Sequence, residues 1–289
     1  MIGVKSALLK STSVIVYPFG MEISYGRDNQ YYSELWNVSE RGKHMNTHWG
    51  VVSTRPANAP LAAIDGQPAL FDFVIQQAGT PQFWGRYIAG KAQGDLLTAD
   101  EAIFLLNNNC RILLVHYGIN PGGDYQAGVQ DAMNAITAAQ NLCIPTGVTI
   151  YGDIETGVAT NPDWFFGWWE TMSTSVYANP GGFYCNLSAG NAVHFATPYC
   201  AAINDPRNLN PDGSFRFTPP LFVSTPRPPS GCDFDLSFYG PDEPTCVPGS
   251  AVIWQYAEQC YKNDAFPKGL WDQDLVTDAG YATMWGAQN

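Results

Sequence analysis

Two acidic residues, Asp153 and Glu155, stand one residue apart at the end of the apolar run VTIYGDIE, residues 148–155. Side chains alternate between the faces of a β-strand, so both carboxyl groups project from one face, about 6.6 Å apart at Cα. Carboxyl groups this close repel each other, and the more enclosed one keeps its proton to higher pH. A protonated acid beside an ionised partner is what glycoside hydrolysis requires. The pair therefore predicts acid/base catalysis; the alternative is that the two acids cap the next helix or face solvent.

Further polar residues stand at or near the ends of other apolar runs. They are Asp65, Arg86, His116, Tyr117, Tyr184, Asn186, Gln255 and Tyr256. Active sites of parallel barrels form at the carboxyl ends of the strands. We therefore expect these residues to converge on one cleft with the acid pair, where His116 either hydrogen-bonds Glu155 or is an ordinary buried histidine.

Aromatic residues are abundant, with 9 Trp, 15 Tyr and 15 Phe among 289 residues. Such a composition is typical of a cleft lined by flat rings, as in sugar-binding proteins, or of a large aromatic core. Trp84, Trp254 and Trp271 accordingly either stack on sugar rings or pack inside the protein.

Apolar runs and helix-compatible segments alternate from residue 62 onward. The runs lie at 62–66, 83–90, 111–118, 148–155, 181–186, 221–228 and 251–257, with YCAAI at 199–203 as the candidate for an eighth. Helices are predicted between several of them, at 98–109, 124–142 and 161–177. This alternation indicates parallel strands joined by crossovers, and eight strands favour an α/β fold of the (β/α)8 TIM-barrel type. The first run has no Gly-rich phosphate loop after it, which argues against a nucleotide-binding Rossmann fold.

The first 60 residues do not share this alternation. SVIVYPFGMEISYG, near the start, predicts two short strands with a turn, and the residues after it are polar and aromatic. We expect an N-terminal extension or small adaptor module over residues 1–60 and the α/β barrel over residues 61–289. A delivery or scaffold protein is the partner expected for the extension. The Pro-rich residues 204–250 are expected to form loops around the barrel mouth.

The charge balance restricts the partners. The chain carries 14 basic and 26 acidic residues, a net charge of −12. Nucleic acid binding depends on clustered Lys and Arg and is not expected. The sequence predicts no membrane span. Its first 20 residues lack the apolar core and cleavage site of a signal peptide, so none is expected there. Action outside the cytoplasm is expected through another export route, after removal of a leader, or by delivery to a target cell.

Seven cysteines stand at positions 110, 143, 185, 200, 232, 246 and 260. None forms a C-x-x-C pair and the four histidines are not grouped with them, so no structural zinc site is predicted. His44 and His48 are four residues apart but lack an acidic third ligand, and we expect a surface pair. No metal or organic cofactor is expected. A disulfide between Cys232 and Cys246 would close a Pro/Gly/Asp loop; the alternative is that all seven thiols are reduced.

Several motifs follow one another in the order seen in a known family. They are DIE at 153–155, GGFYCN at 181–186, WQYAEQ at 254–259 and WDQDL at 271–275. Together they resemble the family 25 glycoside hydrolases, lysozymes that cut the glycan of peptidoglycan, and AAIDG at 62–66 resembles that family's first strand. With FWGRYIAG and residues 96–118 included, the chain resembles more closely a set of bacterial glycoside hydrolase-like barrel domains related to those lysozymes. The resemblance covers residues 61–280.

The resemblance implies roles for the matching residues. Glu155 resembles the general acid/base, and Asp153 the acid that steadies the 2-acetamido group of the substrate as it attacks the anomeric carbon. Asp65 resembles the first-strand carboxylate that tunes this pair. Asp274 resembles the family's late carboxylate, with Asp272 as the alternative. Tyr184 resembles its cleft tyrosine.

The acids and the resemblance together predict a glycoside hydrolase-like protein that cleaves an N-acetylated glycan, with peptidoglycan as the first candidate. Such a protein would act as a cell-wall lysin or an injected effector, and Arg86, His116, Gln255, Tyr256 and Trp254 would line its substrate cleft. FWGRYI is not general among the family 25 lysozymes, so Arg86 is expected to neutralise one carboxylate. The alternative is a catalytically silent barrel that binds glycan or a protein partner.

Overall fold

The computed structural model describes residues 14–16, 22–24, 46–154, 159–177, 180–188, 190–226, 232 and 239–286. The chain divides into two compact units, Met1–His44 and Met45–Asn289. In the first unit, β1 (Val14–Val16) and β2 (Glu22–Ser24) pair antiparallel. These are the two short strands that the sequence predicts; a role for residues 1–60 as an adaptor stays a prediction.

Eight strands of the second unit close into a barrel. They are β3 (Thr47–Val52), β4 (Phe83–Ala89), β5 (Arg111–His116), β6 (Ile150–Ile154), β7 (Gly182–Asn186), β8 (Leu221–Ser224), β9 (Ala251–Cys260) and β10 (Trp271–Thr277). Strands β3 to β9 pair in chain order and parallel, whereas β10 closes the barrel antiparallel to β9 and β3. The predicted fold class, an eight-stranded α/β barrel, is confirmed, with one strand reversed.

Helices connect most of the parallel strands. They are α1 (Leu70–Ala78), α2 (Ala99–Asn107), α3 (Tyr125–Asn141), α4 (Pro162–Ser173), α5 (Ala192–Ile203) and, after β10, α6 (Asp278–Ala282). The Thr98 side chain accepts a hydrogen bond from the Glu101 N–H and so begins α2, as its spacing in the sequence predicts. In the part of the chain that the structure describes, no helix is long and apolar enough to cross a membrane.

Two of the predicted strands are wrong. AAIDG, residues 62–66, forms turns between β3 and α1, and YCAAI, residues 199–203, belongs to α5. The barrel instead begins at β3, within the segment predicted as an extension, and closes with β10. Both of these strands carry polar residues among apolar ones, and only closure of the barrel buries them, so local composition did not mark them as core strands.

The strand side chains divide between the barrel lumen and an outer layer against the helices. The lumen cluster consists of Val52, Phe83, Tyr87, Leu113, Val115, Tyr151, Tyr184, Phe222, Ile253, Val276 and Met284. The outer layer holds the fully buried indoles of Trp84, Trp164, Trp168, Trp169 and Trp254. Much of the aromatic content therefore packs the protein, because each buried ring removes a large apolar area from water.

Two disulfides tie the long segment between α5 and β9 to the barrel. They join Cys200 to Cys246 and Cys232 to Cys260, so the predicted bridge between Cys232 and Cys246 is wrong. Disulfide pairing depends on the separation of Cα and Cβ atoms in space, which closeness in sequence does not give. The remaining three cysteines are free thiols.

Candidate active site

Two carboxyl groups enter the lumen from different sides of the barrel. Asp153 lies on β6 two residues after Tyr151 of the lumen cluster, and strand alternation turns its side chain to the same face. Asp274 lies on β10 two residues before Val276, beside Gly50 of β3. The structure buries both residues, Asp274 completely. The lumen therefore contains two of the acids that the sequence motifs single out.

The surroundings of Asp274 favour its neutral form. Burial raises the pKa of this carboxyl well above its ordinary value, and the nearby charges of Asp272 and Glu258 raise it further. Among the described residues, neither carboxyl oxygen of Asp274 has a hydrogen-bond partner. A neutral carboxyl group can donate a hydrogen bond, so Asp274 is suited to hold an acceptor that enters the lumen.

Tyr184 and Gln255 form part of the lumen wall between these acids. The Tyr184 hydroxyl donates a hydrogen bond of 2.7 Å to Oε1 of Gln255, and both residues are buried. Gln255 in turn is the register partner of Asp274 across the β9–β10 pair. The structure therefore brings Tyr184 and Asp274 together around Gln255.

Glu258 is a lumen residue that sequence reasoning missed. It lies on β9, is half-buried, and accepts a hydrogen bond of 2.5 Å from Oγ of Ser224, which is two residues after the lumen residue Phe222. Alternation from Gln255 alone does not predict this position, because the pairing of β9 with β10 shifts register near Gln273. Glu258 belongs to the WQYAEQ motif, but nothing in that motif indicates that Glu258 rather than a neighbouring residue faces the lumen.

Asp272, the alternative late carboxylate, closes the end of the β9–β10 pair. Its Oδ1 accepts a hydrogen bond of 2.7 Å from the Gln259 N–H, and its register partner is Val52 at the end of β3. Asp272 therefore stands nearer the end of the barrel, while Asp274 lies one layer deeper.

An aromatic surface occupies the β4–β5 side of the mouth. Tyr117 follows β5 two residues after Val115, and its ring lies edge-on to Tyr87, with 6.2 Å between centroids. The Lys91 ammonium is 3.2 Å from the Tyr117 ring centroid and 4.5 Å from that of Tyr87. This side of the mouth, between β6 and β10 in the barrel order, therefore carries a positive charge.

Arg86 was predicted in the cleft, and this is wrong. Its side chain points outward from β4 to α2, where Nε lies 2.8 Å from Oε1 of Glu101 and Nη1 donates to the Ser53 carbonyl at 2.7 Å. Both charged side chains are completely buried. Burial raises the pKa of Glu101, and the guanidinium of Arg86 opposes that rise. Arg86 is thus neutralised by Glu101 rather than by an acid of the lumen.

Asp65 is also displaced from its predicted position. It lies exposed in a turn of the β3–α1 loop rather than at the end of a strand. The lumen residue at the end of β3 is Val52, so the first barrel strand supplies an apolar side chain where the resemblance implies a carboxylate. The error follows from assigning AAIDG as the first strand.

Three more predicted cleft residues face the outer layer. The ring centroids of His116 and Trp168 are 6.4 Å apart, and burial lowers the pKa of His116 to about 4. Trp254 donates to the Thr225 carbonyl at 3.0 Å, while the Tyr256 hydroxyl accepts from Trp49 at 2.9 Å and donates to Gln273 at 2.7 Å. The residues predicted at strand ends include side chains from both faces of their strands. Only packing decides which of the two faces lines the lumen.

Glu155 and His44 lie outside the described residues, so the position of Glu155 beside Asp153 stays a prediction. His48 bonds Asp278 at 2.9 Å and stacks on Tyr281, in the way expected of a surface histidine. Trp84 and Trp271 are buried rather than available to a sugar. In the described ranges, no group of three His, Cys, Asp or Glu side chains is arranged to hold a metal ion.

Known proteins share this barrel. Residues 75–211 match the family model for the "Rv2525c-like, glycoside hydrolase-like domain". An uncharacterized B. stearothermophilus protein aligns over 82% of this chain and 100% of its own, with 25% identity and a TM-score of 0.64. No curated protein matches the sequence.

Two further solved structures align less closely. The Mycobacterium tuberculosis Tat-secreted protein Rv2525c, in complex with L-tartrate, aligns over 83% of this chain and 99% of its own, with 14% identity and a TM-score of 0.49. The modular autolysin LytC from Streptococcus pneumoniae aligns over 80% of this chain and 46% of its own, with 12% identity and a TM-score of 0.46. The chain thus has a glycoside hydrolase-like barrel and, over residues 75–211, resembles the Rv2525c-like domains, which confirms the resemblance inferred from its motifs.

Proposed function

We propose that this protein is a glycoside hydrolase that cleaves an N-acetylated glycan, with peptidoglycan as its substrate. One observation carries the proposal. Two buried acids, Asp153 on β6 and Asp274 on β10, enter the same lumen from different sides, and burial raises the pKa of Asp274, which favours its neutral form. The match to a glycoside hydrolase-like family model supports the same reaction class.

The reaction would proceed with assistance from the substrate. Glu155 protonates the glycosidic oxygen while the 2-acetamido oxygen forms a bond to the anomeric carbon, and the bond to the leaving sugar breaks. Asp153 stabilises the positive charge that develops on the acetamido nitrogen. Glu155, now ionised, takes a proton from water, which attacks the anomeric carbon and reopens the ring. Asp274 donates a hydrogen bond to the substrate within the lumen.

The test is release of reducing ends from purified peptidoglycan between pH 4 and pH 8. Wild-type protein should release them, whereas Glu155→Gln and Asp153→Asn should lose at least about a hundredfold in rate, the range of acid/base catalysis. Glu170→Gln provides a matched control, because Glu170 lies on α4 and pairs with Arg216 at the surface. Equal rates for wild type and Glu155→Gln would refute the proposal.

A silent glycan-binding barrel is the second candidate, and one observation favours it. Val52 fills the lumen position at the end of β3, where the resemblance implies a carboxylate. A binding protein would retain affinity for glycan fragments in titration calorimetry and release no reducing ends at any pH. That combined result would replace the hydrolase proposal with this one.

A further inference from the structure

A cavity of about 340 Å³ opens beside the barrel mouth. Its lining includes Thr54, Arg55, Pro56, Pro60, Gly94 and Asp95. The first four residues follow β3 and the last two follow β4, so the cavity lies at the carboxyl ends of these strands. Asp153 stands at that same end of the barrel on β6. The volume is within the usual range of small-molecule sites, about 300–1,000 Å³.

The buried ion pair of Arg86 and Glu101 fixes the wall of this cavity. Arg86 donates to the carbonyl of Ser53, and Glu101 accepts from the N–H of Ala57 at 2.7 Å. Ser53 and Ala57 flank the lining residues Thr54–Pro56 on either side. The pair therefore holds both ends of a short loop from beneath and pre-organises it for a ligand.

Further hydrogen bonds hold the same loop. Oγ of Ser53 donates to the Leu270 carbonyl at 2.7 Å and accepts from the Arg55 N–H at 3.1 Å. The Ala57 carbonyl accepts from the Phe71 N–H at 2.8 Å. The loop is thus attached to β4, α2, α1 and the segment before β10, although its side chains are partly exposed.

The cavity carries one charge of each sign. The guanidinium of Arg55 is exposed and lies 5.4 Å from the ring centroid of Phe266, while Asp95, which also lines the cavity, is half-buried. Within the described part of the chain, neither residue forms an ion pair, so both charges are available to a ligand. A guanidinium recognises a carboxylate through two parallel hydrogen bonds, and a carboxylate accepts from ammonium or amide N–H groups.

We propose that this cavity binds a short peptide, whose carboxylate pairs with Arg55 and whose N–H groups donate to Asp95. The inference rests on the proposed function, since the peptide would be the substituent carried by the glycan. Binding it beside the mouth places the attached sugar chain across the lumen. Arg55 and Asp95 are then specificity residues that act away from the bond being cut.

Binding is tested first, without any cleavage, by titrating the full chain with the dipeptide L-alanyl-D-glutamate in a calorimeter. Wild type should bind it, Arg55→Met should bind about tenfold more weakly or worse, and Asp95→Asn should also lose affinity. The neutral sugar N,N′-diacetylchitobiose should bind wild type and Arg55→Met equally. Arg216→Met, which removes a surface guanidinium elsewhere, should bind the dipeptide as wild type does. No dipeptide binding by wild type would overturn the inference.

Turnover then distinguishes an attached peptide from a free one. On peptidoglycan with its peptides intact, Arg55→Met should raise KM about tenfold with little change in kcat, because the lost contact is the same in ground and transition states. On glycan stripped of peptide by an amidase, wild type and Arg55→Met should have the same KM. An equal loss on both substrates would exclude peptide recognition. If wild type cleaves neither substrate, the proposed function fails while the dipeptide titration still decides the inference.

Discussion

Replacing Glu101 by Gln removes the charge that pairs with Arg86 while keeping the size of the side chain and an oxygen that accepts from Ala57. The Arg86 guanidinium then remains in a completely buried site without its counter-charge. Since Arg86 keeps its bond to the Ser53 carbonyl, the variant isolates the loss of the ion pair from the loss of packing.

The expected cost is about 3–5 kcal/mol in the free energy of unfolding, the range measured when one partner of a buried ion pair is removed. That is a large part of the roughly 5–15 kcal/mol that a domain has in total. Glu170→Gln is the matched control, because the Glu170–Arg216 pair is 3.4 Å apart and both side chains are more than a third exposed. An exposed pair contributes about 0–1 kcal/mol.

Urea denaturation at pH 7, followed by both fluorescence and circular dichroism, measures the two variants against wild type. The midpoint should fall much further for Glu101→Gln than for Glu170→Gln, with an unchanged slope. Equal, small losses in both variants would show that the Arg86 charge is solvated or has another partner, and the placement of Arg86 on the outer face of β4 would be refuted.

Three further predictions concern buried polar groups. The pKa of His116 is lowered from 6.5 to about 4, so its contribution to the free energy of unfolding is complete above pH 6.5 and falls by about 3 kcal/mol as the pH drops to 4. His116→Phe should remove this part of the pH dependence in urea denaturation. Asp274 has a raised pKa, so the folded state loses stability as the pH rises above 3.8; Asp274→Asn should gain stability relative to wild type over that range in the same titration. Tyr184→Phe should cost about 1–3 kcal/mol in urea denaturation, because it leaves the buried Oε1 of Gln255 without this donor.

Each of these predictions has a result that contradicts it. If His116→Phe and wild type show the same pH dependence of stability, the imidazole of His116 is exposed to water. A constant difference between Asp274→Asn and wild type from pH 4 to pH 8 would mean that Asp274 titrates normally. Tyr125→Phe removes a half-exposed hydroxyl bonded to Glu170 and serves as the control. An equal loss of stability in Tyr125→Phe and Tyr184→Phe would contradict the burial of the hydrogen bond between Tyr184 and Gln255.

The class of fold and much of the acid set follow from local patterns in the sequence. Alternating apolar runs and helices predicted the barrel, because each parallel strand must be buried on both faces. The position of Asp153 at the end of the apolar run 148–155 placed it at a strand end, and the late WDQDL motif supplied Asp274, whose entry into the lumen the structure shows. These features depend on local period and order, which a sequence records directly.

Which face of each strand lines the lumen depends on how the strands come together in space. Arg86, His116, Trp254 and Tyr256 stand near strand ends as the lumen residues do, yet they pack outward, because the phase of alternation is set by closure of the barrel. The reversed β10, the bulge that turns Glu258 inward and the pairing of Arg86 with Glu101 all join residues distant in the chain. Contacts of that kind depend on the closed shape, and no local pattern contains them.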